Sequence, residues 1–120
     1  MQTHPIAPAR WQDMFDSLTR IYDGSTASLE ILRDDLGAQM AIENEPLRGI
    51  AYDRTGIQLF FMTRDGRRLV HRIPHPKTVA IEEGDDGMVD AIQIASDDDP
   101  VAVVRLSAPV ASKLLPTGEA

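Results

Sequence analysis

The sequence predicts an α+β fold in which one N-terminal amphipathic helix packs on a strongly curled antiparallel β-meander of about seven to eight strands, partly closed like a barrel. Three observations predict it. Apolar residues recur at spacings of three and four over residues 11–22, the signature of a helix with one buried stripe. From Thr26 onward the period drops to two, in short runs repeating about every ten residues. The breaks between those runs are too short for crossovers, so successive strands are expected to lie side by side and antiparallel.

Residues 1–7 read as a loose arm, residues 8–107 as the single helix-plus-meander domain and residues 108–120 as a C-terminal tail. Pro8 suits the first turn of a helix. Trp11, Met14, Phe15, Leu18, Ile21 and Tyr22 then form the apolar stripe, opposed by Gln12, Asp13, Asp16, Thr19 and Arg20. Asp23-Gly24-Ser25 places a glycine where a C-terminal cap belongs. A stripe with Trp11 and Phe15 on it must be covered, and the helix is expected to lie on a face of the sheet.

Ala27, Leu29 and Ile31 alternate with Ser28 and Glu30, the Asp34-Asp35-Leu36-Gly37 turn follows, and Ala38, Met40 and Ile42 alternate again. Asn44-Glu45-Pro46 is expected to end this hairpin, so that residues 47–52 make a separate strand. Asp53-Arg54-Thr55-Gly56 has the residue preferences of a type I turn. In residues 57–62 one face is apolar and the other nearly so, as in a strand covered on both sides. Asp65-Gly66 marks a hairpin, and residues 69–73 follow. Pro74-His75-Pro76 breaks the ladder because neither proline donates an amide hydrogen. Residues 79–83, 88–95 and 101–106 complete the strand series, separated by Gly84-Asp85-Asp86-Gly87 and by Ser96-Asp97-Asp98-Asp99-Pro100.

At 120 residues, 42% of them hydrophobic, the chain is long enough for one core without staples. It has no cysteine, which excludes disulfides, thiolate nucleophiles and cysteine-ligated metal, and fits a cytoplasmic location. No window approaches the ~18 apolar residues of a membrane span, and no export signal is legible at the N-terminus. The net charge of −7 opposes nucleic acid and anionic surfaces. That charge is uneven. Residues 64–77 carry five basic side chains against one acid, whereas residues 79–100 carry eight acids and no lysine or arginine. Such runs ordinarily form solvated faces, and the sharper reading is a complementary patch for self-association through Arg64, Arg67, Arg68 and Arg72.

In a simple meander alternate connections emerge at alternate ends. Asp34, Asp35, Asp53, His75 and the Asp97-Asp98-Asp99 run would then share one end of the sheet. His75 with Asp34, Asp35, Asp97 and Asp98 is the one place where a divalent metal or acid/base site could assemble. Aspartate and glycine are, however, what tight turns need on backbone grounds alone. His71 and His75 have a spacing that on a helix would bind zinc, but Pro74 and the strand pattern destroy that geometry. His71 is expected to sit half-buried and hydrogen-bonded in the sheet. No phosphate loop, nucleophile elbow or kinase signature is present, the aromatic residues are too few to stack bases, and no cofactor is expected.

The pattern W-x-x-MFDSLTRIYDG over residues 11–24, with LEILRDDLGAQ, PLRGI and IPHP after it, resembles a small bacterial family of unknown function across roughly residues 11–106. The resemblance implies a stand-alone or operon-encoded bacterial protein and transfers no catalytic residue. Ten arginines against two lysines agree with a GC-rich source. The expected function is a non-catalytic interaction module acting as a homo-oligomer. The alternative is a small-ligand or metal binder, possibly an enzyme, at the His75 end.

Overall fold

The computed structural model describes residues 2–97 and 100–116. Its elements are β1 (Gln2–Ile6), a 3-10 turn (Pro8–Arg10), α1 (Trp11–Tyr22), β2 (Thr26–Arg33), β3 (Gly37–Asp53), β4 (Gly56–Met62), β5 (Arg68–Ile73), β6 (Pro76–Glu83), β7 (Met88–Ser96), β8 (Val101–Ala111) and a closing 3-10 turn (Ser112–Leu114). All strand pairs are antiparallel. The α+β class and the single long helix are as the sequence predicts.

The helix stripe is the core. Met14, Phe15 and Leu18 are fully buried, and Trp11 and Tyr22 nearly so. They meet Leu47 and Ile50 of β3, Ile57, Leu59 and Phe61 of β4, and the inward residues of β6, β7 and β8. Ile21 alone of the stripe stays exposed. The helix sits tightly on β3. Thr19 Oγ1 donates to Phe15 O at 2.8 Å and accepts from Ile50 N at 3.0 Å. A Cβ on Gly49 would stand 3.2 Å from Thr19 Cγ2, so a glycine there lets helix and strand close up. Trp11 stacks edge-on against Tyr52, ring centroids 5.2 Å apart.

Four expectations are corrected. Residues 2–6 are not a loose arm: they pair with β6, and Trp11 Nε1 donates to Ile6 O at 2.9 Å. Residues 38–52 are not two strands but one. β3 runs through Asn44-Glu45-Pro46, pairing with β2 up to Pro46 and with β4 from Leu47. The corner is Asn44, left-handed at φ 48, a conformation asparagine tolerates better than most residues. Its N–H donates to Ser28 Oγ at 2.9 Å, and Arg64 donates to its carbonyl. The C-terminal strand reaches Ala111 rather than ending at residue 106, and Leu115, in what was expected to be a tail from residue 108, is buried.

The topology also differs from a single meander. The order across the sheet is β1-β6-β7-β8-β2-β3-β4-β5. This is two meanders, β2 to β5 and β6 to β8, joined by the β2–β8 pairing, not one. β5 and β6 are consecutive in sequence but unpaired, linked only by Pro74-His75. His75 turns the chain with a left-handed backbone (φ 52). The sheet curls, but it is not closed, so β1 and β5 are edges.

Candidate functional site

The turns that carry the residues singled out for a metal do share one end of the sheet, since Leu32 and Ala95 both pair with Val101 and Pro76 pairs with Ser96. Asp34, Asp35, His75 and Asp97 are all exposed. His75 and Asp97 do come together, but through the backbone, Asp97 N donating to His75 O at 3.3 Å. Asp98 and Asp99 lie outside the described residues. Among the described residues no group of three or more histidine, aspartate or glutamate side chains is placed to hold a metal. Asp53 is engaged locally. Its carboxylate accepts from Thr55 Oγ1 at 2.6 Å and Thr55 N at 2.7 Å, and these bonds, with help from Arg72, lower its pKa. Asp65 is likewise lowered, first by the Thr63 hydroxyl and then by Arg67.

At the same end of the molecule a crevice of about 200 Å3 opens between the two meanders. Ile31 and Arg33 of β2 form one wall, His71, Arg72, Ile73 and Pro74 another, and Ser96, Pro100 and Ala102 the third. The histidine that faces this space is His71, not His75. Burial lowers the pKa of His71, and among the described residues its ring has no hydrogen-bond partner, contrary to expectation.

The arginine strand is an edge. Arg64, Arg67, Arg68 and Arg72 are exposed, with Arg68 and Arg72 on β5 and the other two in the turn before it. That turn is built by Thr63, whose carbonyl accepts from Gly66 N at 3.0 Å and whose N–H donates to Arg67 O at 2.8 Å. Among the described residues no element covers the outer face of β4, contrary to expectation. Phe60 and Met62 instead border an open hollow together with Val70, Arg48 and Arg68.

A second edge was not legible in the sequence. Residues 37–43 of β3 are hydrogen-bonded to β2 on one side only, because β4 takes up pairing at Leu47. Six of these seven residues are exposed, Met40 at 52%, and Leu36 at the hairpin tip is 60% exposed. Reading Asn44-Glu45-Pro46 as a break concealed the edge, because a strand that ends there would have been paired along its whole length. The available signal was a run, GAQMAIE, with one charge and no proline.

An uncharacterized protein of Aquifex aeolicus (strain VF5) is 27% identical over 106 residues, which cover 88% of this chain and 93% of the relative. No solved structure matches the chain. A family model described as a family of unknown function matches residues 2–115, from the first strand past the last. On that match the chain belongs to DUF5335, a family of unknown function.

Proposed function

We propose that this protein is a non-catalytic cytoplasmic interaction module that works as a homo-oligomer. The observation that supports the reading is the open sheet: an eight-stranded array leaves backbone donors and acceptors unpaired along β1, β5 and the first half of β3. Such edges are templates for another strand. The uneven charge, basic around β5 and acidic over residues 79–100, adds opposite-sign surfaces to a chain of net −7. Multi-angle light scattering across a concentration series at several salt concentrations tests the proposal. The expected result is a mass that rises toward twice that of the chain. A monomer at every concentration and salt overturns it.

The crevice supports a second reading, a small-ligand site. Two guanidinium groups and a half-buried imidazole border an apolar floor there. At about 200 Å3 it is below the roughly 300–1,000 Å3 of a drug-sized pocket, which favours a ligand of a few heavy atoms. Thermal denaturation with phosphate, small carboxylates and divalent cations is the test, since ligand bound only to the folded state raises the midpoint. No rise with any of these removes this reading and leaves the first untouched.

A further inference from the structure

We propose that the free edge of β5 takes an extended segment of another protein as an added antiparallel strand, with acidic side chains opposite Arg68 and Arg72 and an apolar one opposite Val70. The proposal rests on the reading of this protein as an interaction module, not on its self-association.

The backbone along that edge is free to pair. Thr63 N donates to Arg67 O at 2.8 Å and closes the β4–β5 hairpin as a hydrogen-bonded pair. From there the register runs Met62 with Arg68, Phe60 with Val70 and Gln58 with Arg72. Hydrogen-bonded and non-hydrogen-bonded pairs alternate along an antiparallel ladder, so these three are of the second kind. The N–H and C=O groups of Arg68, Val70 and Arg72 therefore point away from β4. No strand lies on that side, because β5 ends the sheet. A five-residue antiparallel segment exchanges bonds with all three through its first, third and fifth residues.

The side chains of the same three residues set what that segment must be. They alternate onto the outer face of the sheet, where Val70, 58% exposed, borders with Phe60 and Met62 the uncovered hollow of about 380 Å3. Residues opposite one another in an antiparallel pair stand on the same face. The segment's central side chain thus lies beside Val70, and its flanking ones beside Arg68 and Arg72. Among the described residues neither arginine is in an ion pair, and Asp53 acts on Arg72 only from further off. Arg48, across the hollow, is already paired with Asp23 at 3.6 Å. The pattern acid-x-apolar-x-acid is the one that the two charges and the hollow select together. Like charge excludes a second β5 edge. The chain's other free edges lack the pattern, since QTHPI of β1 has no acid and GAQMAIE of β3 ends in a single glutamate. The occupant is accordingly a segment of a different protein.

The experiment titrates the full chain into a fluorescent seven-residue peptide with glutamate at its second and sixth positions, leucine at its fourth and threonine elsewhere, read by anisotropy. Saturable binding is expected, and Arg68→Glu with Arg72→Glu is expected to weaken it by about tenfold or more. The same double variant is expected to bind the peptide with lysine in place of glutamate to within about threefold of the original pair. Hydrogen exchange locates the contact: added peptide slows the amides of Arg68, Val70 and Arg72 and leaves those of residues 37–43 unchanged. Absence of saturable binding, binding indifferent to the reversal, weakening without rescue, or slowing on another edge overturns the proposal. So does tighter binding of oligothymidine than of the peptide at the same arginines, which would assign them to nucleic acid. Protection of β5 that rises with protein concentration alone would put a second copy there and overturn it too. Whether the chain dimerises elsewhere is read separately, by light scattering.

Discussion

At the scale of single residues, backbone and burial explain more than side-chain chemistry does. Gly56 has φ +127, and a Cβ added there would collide with the carbonyl oxygen of Ile73 in β5. Gly56→Ala is expected to cost about 2 kcal/mol or more, read as a lowered denaturant midpoint with unchanged slope. His71 adds a pH dependence. Because burial depresses its pKa in the folded state, the unfolded chain binds more protons below the ordinary value of 6.5. Stability is therefore held above pH 6.5 and lost as pH falls through the folded-state pKa. In His71→Gln that loss is expected to disappear, which denaturation midpoints measured downward from neutral pH will check. Asp53 and Asp65 act in a separate window, losing their contribution only as pH falls below the ordinary 3.8 toward their lower folded values. The alternation in residues 69–73 marks His71 as part of a strand. It does not show which cavity that strand borders, because Ile31 and Pro100 come to it from distant parts of the chain.

At the scale of elements, local pattern is decisive where it is strong. The helix over residues 11–22 follows from its spacing alone, and its burial follows from the size of Trp11 and Phe15. Phe15→Ala leaves a cavity in the centre of the core and is expected to destabilise by about 3–5 kcal/mol, measurable by denaturant titration. β1 is the opposite case. QTHPI has one proline and little apolar periodicity, and it becomes a strand because β6 offers an edge and Trp11 Nε1 needs the Ile6 carbonyl. Deleting residues 1–6 is accordingly expected to lower the melting temperature by several degrees, as loss of a buried hydrogen bond and a strand pairing implies. An arm without contacts would leave it unchanged. β3 shows how a local break signal is overridden: Asn44-Glu45-Pro46 bends the strand, but Ser28, Ser107 and Arg64 hold the corner in register.

At the scale of the whole molecule, the order of strands distributes stability. β2, β4, β7 and β8 up to Leu106 are paired on both sides; residues 48–53 of β3 and 107–111 of β8 have a strand on one side and bonds from α1 on the other, Thr19 to Ile50 and Tyr22 to Ala108; β1, β5 and residues 37–43 are paired on one side alone. Amide exchange in dilute solution is expected to be slowest in β7 and β8 and fastest at those three edges; uniform protection across the sheet would contradict this strand order. By itself the sequence determined the helix and its buried stripe, most of the strands, the turns at Asp53-Gly56 and Asp65-Gly66, and the exposure of the arginines. These are set by interactions within a few residues, by periodicity and by turn chemistry. Only the tertiary structure decided that β8 pairs with β2, that β5 and β6 part company across Pro74-His75, that residues 2–6 close one edge, and that residues 37–43 leave another open. Strand pairing is a contact between residues far apart in the chain. Its choice depends on which hydrogen-bonding edges and apolar faces are already occupied, and no short run of residues carries that information.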